Sequence, residues 1–128
     1  MIAYATLGSN DLPKATEFYD AILGEVGIGQ MWSTDGFVGY GHAMDQPMLG
    51  VCKPNDGRAA SVGNGTMIAL ALQAPEQVQK VHAKALALGG QDEGAPGLRG
   101  ESGFYCGYFR DLDGNKLNAF CMVTPAKG

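Results

Sequence analysis

One unit of sequence occurs twice in this chain, and that repetition limits the folds open to it more than any other feature. Residues 2–7 are short and apolar enough for a strand. Gly8, Ser9, Asn10 and Asp11 follow as turn and capping residues. Leu12, Ala15, Phe18, Tyr19, Ile22 and Leu23 then recur at the three-and-four spacing of an amphipathic helix. Asn10 or Asp11 suits its N-cap, Pro13 its first turn and Gly24 its end. In the second half, residues 66–72 read as a strand and Ala74-Pro75-Glu76 opens a helix striped by Val78, Val81, Ala85 and Leu88. Gly89-Gly90 closes that helix. Tyr4 and Met67 hold matching places in the two strands, 63 residues apart.

Three strand-like stretches follow each helix. In the first half they cover residues 26–32, 37–41 and 47–53, with Ser33-Thr34-Asp35-Gly36 as a turn. In the second they are a weak stretch at 91–93, then 104–110 and 116–123, the last two joined by Asp111-Leu112-Asp113-Gly114-Asn115. Each half is therefore β-α-β-β-β. The expected class is α+β: a single domain over residues 1–128, with a first module at 1–55 and a second at 64–124. Residues 53–65 and 94–103 read as long glycine-rich loops, the second hanging over one end. Asp111, Asp113 and Asn115 imitate the first ligands of a calcium loop, but Lys116 and Met122 stand where that loop needs Gly and Glu. The segment is a turn.

Charge and cysteine content narrow the function. The net charge is −4 and no segment concentrates Lys and Arg, so a nucleic-acid face is not expected. The longest apolar runs, such as residues 67–72, are too short to cross a bilayer. The first residues carry no basic region followed by an apolar stretch, so a cytoplasmic location is expected. Cys52, Cys106 and Cys121 are odd in number and form no C-x-x-C pair, which fits reduced thiols acting as small core residues on strands.

The segments N-D-L-P-K-A-T-E-F-Y-D-A-I-L-G and F-R-D-L-D-G-N-K-L-N-A-F, set on this duplicated frame, resemble the vicinal oxygen chelate superfamily of glyoxalase I, bleomycin-resistance proteins and extradiol dioxygenases. The resemblance spans essentially the whole chain. It implies two βαβββ modules forming a curved mixed sheet around a cleft, a homodimer, and a divalent metal on the axis relating the modules. It also implies four metal-ligand positions, which fall on Tyr4, Gly50, Met67 and Asn118. Catalytic metals take His nitrogen or carboxylate oxygen. A neutral phenol, a bare glycine, a thioether and a neutral amide do not meet that need. No metal and no other cofactor is expected.

Strand alternation puts Tyr4 and Thr6 on one face, and likewise Met48, Gly50 and Cys52; Met67, Ala69 and Ala71; and Lys116, Asn118 and Phe120. Tyr4, Thr6, Met48, Gly50, Cys52, Met67, Ala69 and Asn118 are the candidate ligand-binding residues. Their side chains either fill the cleft as core or leave a pocket for a small, partly apolar organic ligand. Trp32, Phe37 and Tyr40 either stack on a planar ligand or serve as core or dimer contacts. Arg99 and Glu101, in the 94–103 loop, form a charge-reading lid or are simply solvated.

No catalytic residue can be assigned. His82 falls on the outer part of the second helix, where it is expected to be solvated, and His42 ends a strand beside a loop. Cys52 is the best thiol candidate, without a visible base. The expected function is metal-free binding or sequestering of a small molecule. The alternative is a glyoxalase- or dioxygenase-type lyase or oxidoreductase that uses a displaced metal or Tyr4, Cys52 and His42.

Overall fold

The repeat seen in the sequence sets the architecture of the computed structural model, which describes residues 1–124. The first module runs β1 (Tyr4–Gly8), α1 (Leu12–Gly24), β2 (Gly29–Thr34), β3 (Phe37–Gly41) and β4 (Met48–Cys52). The second runs β5 (Met67–Ala71), α2 (Pro75–Ala87), β6 (Gln91–Arg99), β7 (Phe104–Arg110) and β8 (Lys116–Met122). The α+β class and the two βαβββ modules are as expected. Each module forms its own four-stranded mixed sheet, ordered β1-β4-β3-β2 and β5-β8-β7-β6. In both, the strand before the helix pairs in parallel with the last strand, and the other pairs are antiparallel. β1 and β5 are therefore edge strands. No described helix is long and apolar enough to cross a membrane.

The helices form where the sequence supplies caps and stripes. Asp11 caps α1 by accepting from the Lys14 N–H, and Leu12, Ala15, Phe18, Tyr19, Ile22 and Leu23 are all buried. The helix runs through Gly24 to a cap at Glu25, and the chain reverses at Gly27 with φ 76°. α2 has no side-chain cap from Ala74, but the Gln77 side-chain Oε1 reaches back to accept from the N–H of Gln73, the residue before the N-cap. Glu76 in its first turn and Lys84 in its last both oppose the helix dipole.

Two strands differ from the sequence reading. β2 begins at Gly29 instead of 26, because Val26 and Ile28 turn inward and pack on the core. The stretch 94–99, expected as loop, continues β6. Register shifts at Asp92/Gly94 and Gly94/Gly97 let this edge strand absorb its glycines and Pro96. Arg99 is thus a strand residue, and only the turn at residues 100–103, with exposed Glu101, lies beyond it. No lid hangs over the site there.

One core joins the modules. Its aromatic rings run in line from Tyr40 on β3 to Tyr19 (6.1 Å between centroids) and Phe18 (5.3 Å) on α1, then to Phe109 on β7 (6.5 Å) and His82 on α2 (6.3 Å). Tyr40 and Tyr19 are about 1% and 0% exposed, so each hydroxyl needs a partner. Tyr40 donates to Asp20 at 2.9 Å, and Tyr19 donates across the module boundary to Asp111 at 2.5 Å. The β7–β8 turn makes two further links, from the Asn115 amide to the Gly8 carbonyl (2.9 Å) and from the Asn10 N–H to the Asp113 carboxylate (2.8 Å).

Burial, then the Asp111 carboxylate, pushes the Tyr19 pKa well above its ordinary value; burial, then Asp20, does the same for Tyr40. Folding thus favours both neutral phenols. This contribution is fully present below about pH 10, the ordinary tyrosine pKa, and is lost as pH rises above it. In an alkaline absorbance titration, two of the five tyrosines are expected to ionise only together with loss of the circular dichroism signal. Tyr19→Phe is expected to lower stability by about 1.5–3 kcal/mol in urea unfolding, the worth of a hydrogen bond to a charged group.

Candidate functional site

Each sheet has one face on the helices and one turned away from them. Leu7, Val38, Tyr40, Leu49 and Val51 fill the helix side of the first sheet, and Leu117, Ala119 and Cys121 that of the second. Alternation then leaves Tyr4, Thr6, Met48, Gly50 and Cys52 on the open face of the first sheet. Met67, Ala69 and Asn118 lie on the open face of the second. The structure thus gathers the eight predicted residues into two groups on separate sheets, with no strand ladder between them.

The open face of the first sheet is built from aromatic rings laid on glycines. The Trp32 ring lies against Gly39, where an added β-carbon would come within 3.0 Å of it. The Phe37 ring lies against Gly50, where a β-carbon would meet it at 2.5 Å and the Thr6 methyl at 3.2 Å. Trp32 and Phe37 stack nearly parallel, 5.4 Å apart with 10° between their planes. Tyr40, grouped with them from sequence, points the other way into the core. Tyr4 is 57% exposed beside this platform.

This packing decides whether a metal fits. Phe37 occupies the room in which a ligand side chain at position 50 would stand. The remaining donors are an exposed phenol, a thioether and a neutral amide, none of them an anion. Among the described residues, no group of three or more His, Cys, Asp or Glu is placed to hold a metal ion. The chemistry and the packing both fail to fit a divalent cation.

The second sheet's open face has a different character. Three rows cross it: Met67, Lys116 and Arg110; Ala69, Asn118 and Tyr108; Ala71, Phe120 and Cys106. Lys116 and Arg99 both lie over the Tyr108 ring, 5.4 and 5.7 Å from its centroid. Arg110 is paired with Glu93, and Arg99 donates to the carbonyls of Ala95 and Gly97. Among the described residues, no carboxylate forms an ion pair with Lys116 or Arg99. Asn118 is 2% exposed, and its Oδ1 has no hydrogen-bond partner. Contact with the Cys106 thiol, then burial, raises the Tyr108 pKa, while Arg99 pulls it down.

Two hollows touch the predicted residues. One, of about 270 Å³, lies where the first module meets the β5 edge; Met48 and Ala69 are on its wall with Leu23, Ile28, Tyr40 and His42. The other, of about 490 Å³, is lined by residues 62–67 together with Arg110 and Lys116, and so takes in Met67. Tyr4, Thr6, Gly50, Cys52 and Asn118 line neither. Tyr108 is the main omission of the sequence reading. Only the β7–β8 register, which puts it opposite Asn118, reveals it.

The acid–base candidates separate clearly. His82, expected to be solvated, is 5% exposed; it lies under Gly107 and Pro96 and meets Asp92 at 3.0 Å. The β6 extension over α2 is what covers it. The Gly94 N–H, then His82, lowers the Asp92 pKa. His42 is exposed at the wall of the smaller hollow. Cys52, Cys106 and Cys121 are free thiols, with only Cys52 partly accessible.

Similar folds occur among solved structures. A glyoxalase/bleomycin resistance protein from Albidiferax ferrireducens T118 is 36% identical with a TM-score of 0.88, over 96% of this chain and 99% of that one. A glyoxalase-related enzyme from Fulvimarina pelagi is 21% identical with a TM-score of 0.75, over 100% and 94%. A lactoylglutathione lyase from Agrobacterium tumefaciens is 20% identical with a TM-score of 0.68, over 94% and 92%. No protein-family model matches the sequence, and no curated protein does.

The Phe37–Gly50 contact gives a direct test. Gly50→Ala is expected to cost about 1–3 kcal/mol in urea unfolding, as overpacking does. In a Phe37→Ala background that cost is expected to vanish, giving a double-mutant coupling of similar size.

Proposed function

The chain belongs to the glyoxalase/bleomycin resistance protein family, with its vicinal oxygen chelate fold, and on that premise we propose that it binds or sequesters a small, partly apolar organic molecule without a catalytic metal. The observation that carries this reading is the hollow of about 270 Å³ between the modules, where Met48 and Ala69 share apolar walls with Leu23, Ile28 and Pro47. A concave apolar space with few polar groups is the usual form of a small-molecule site. The neutral residues at the four metal-ligand positions support the absence of metal chemistry. The stacked Trp32–Phe37 platform offers a flat apolar surface on the neighbouring open face.

The binding form is a homodimer of single-domain chains. Its support is the pair of edge strands, β1 and β5, with Tyr4 (57%), Met67 (40%) and Met122 (59%) exposed on the open faces. A second copy covers apolar surface of this kind and satisfies open strand edges. Three free thiols agree with a reducing, cytoplasmic setting. The alternative reading, an enzyme of glyoxalase or dioxygenase type, has one observation in its favour: the His42 imidazole is part of the wall of the same hollow.

Elemental analysis and a thermal-shift screen separate the readings. Purified protein is expected to carry no stoichiometric Zn, Ni, Fe or Mn, and a chelator is expected to leave its ligand response unchanged. Small apolar compounds are expected to raise the melting temperature, because a ligand that binds only the native state stabilises it. Stoichiometric metal, with turnover abolished by chelator, would establish the enzyme instead. Sedimentation is expected to give twice the 13.4 kDa chain mass.

A further inference from the structure

The second sheet's open face leaves two needs unmet, and both describe a ligand. Asn118 Oδ1 is a buried acceptor without a donor, an arrangement native structures seldom leave unresolved. Lys116 and Arg99 flank Tyr108 as cations without a carboxylate partner among the described residues, although the chain as a whole is acidic. These groups are ordered along the sheet. Asn118 lies between Lys116 and Phe120 on β8, with two-residue steps of about 6.5 Å. Its cross-strand partner is Ala69, which also lines the apolar hollow. The face therefore grades from cationic through a hydrogen-bond acceptor to an apolar recess.

Resting on the binding reading above, we infer that the ligand is a small carboxylic acid with a hydrogen-bond donor beside its carboxylate and a short aliphatic tail. The carboxylate sits toward Lys116 and Arg99, whose guanidinium uses two of its five N–H groups on Gly97 and Ala95 and keeps the others free. The adjacent hydroxyl or amide N–H donates to Asn118 Oδ1. The tail enters the hollow past Ala69. At about 270 Å³ the hollow is just below the usual range for drug-sized ligands, so it takes a branched chain of a few carbons in preference to a polycyclic ring system. Asn118 thus stands at a family metal-ligand position but accepts a proton donor from the ligand itself.

Three probes test this by titration calorimetry on the intact protein: 2-hydroxyisocaproate, 4-methylpentanoate, which lacks the hydroxyl, and 2-hydroxyisocaproamide, which lacks the charge. The hydroxy acid is expected to bind about tenfold more tightly than either relative, since each loses one hydrogen bond or one charge-assisted contact. Asn118→Ala is expected to remove its advantage over 4-methylpentanoate only. Lys116→Met is expected to remove its advantage over the amide only, along with the loss of affinity in high salt. The comparison among probes on unaltered protein stands even if a variant fails to fold. Equal affinities for all three overturn this inference and leave the binding reading intact. The same holds if none binds while neutral apolar compounds still raise the melting temperature. Failure of the acids and the neutral compounds together overturns both.

Discussion

The hydrogen bond from Tyr19 to Asp111 holds the arrangement on which everything else rests. Asp111 is 5% exposed and lies at the head of the β7–β8 turn. Its Oδ1 accepts from the N–H groups of Asp113 and Asn115, and its Oδ2 from the Asn115 amide and the Tyr19 hydroxyl. A buried carboxylate supplied with four donors is tolerable; the same group with its donors removed is costly. Because three donors come from the turn and the fourth from α1, the turn and the helix require each other. The two modules are thereby fixed through their helix sides, and the faces away from the helices stay open.

Those open faces have taken opposite courses from a shared plan. Gly50 and Asn118 occupy equivalent places in the two modules, each across from the middle of the strand that starts its module. At Gly50 the missing side chain admits the Phe37 ring onto the backbone, and Trp32 repeats the device over Gly39. That face is sealed by flat apolar groups. At Asn118 the side chain remains, buried and unpaired, with a phenol and two cations beside it. The repeat supplies the frame, and its loss of symmetry at these positions supplies the chemistry.

Much of the frame was legible because its signals are local. Asp11 capping α1, the apolar stripes and the period-two faces need only neighbouring residues. The helix-side and open-side assignment of Tyr4, Gly50, Met67 and Asn118 followed from alternation alone. What stayed hidden depends on register or on contacts distant in sequence. Gly94, Pro96 and Gly97 look like a loop, yet β7 supplies a ladder that tolerates bulges, which moved Arg99 from a supposed lid to a strand. His82 looks exposed in the sequence because residues 94–99, the part of β6 that passes over it with Pro96, read as loop. Tyr108 went unnoticed because nothing in the sequence says that it faces Asn118. Phe37 lying on Gly50 is a contact across two strands that no spacing rule contains.

The electrostatics of the second sheet follow from the same replacements. A family metal site needs its surroundings to donate electron density and negative charge to a dication. Here the four positions supply none, and the nearest ionised groups on the second sheet, Lys116 and Arg110, are positive. Arg110 is balanced by Glu93. Lys116 has the face of Tyr108, and Arg99 has that face and two backbone carbonyls; a cation–π contact at a partly exposed site is worth about 0.5–1 kcal/mol, far less than a charge partner in a dry cleft. A dication placed among them is repelled and finds no anionic donor, whereas an anion meets two cations already held in place. Around Asn118 and Tyr108 the open face of the second sheet therefore offers cations and neutral groups where a bound dication would need anions.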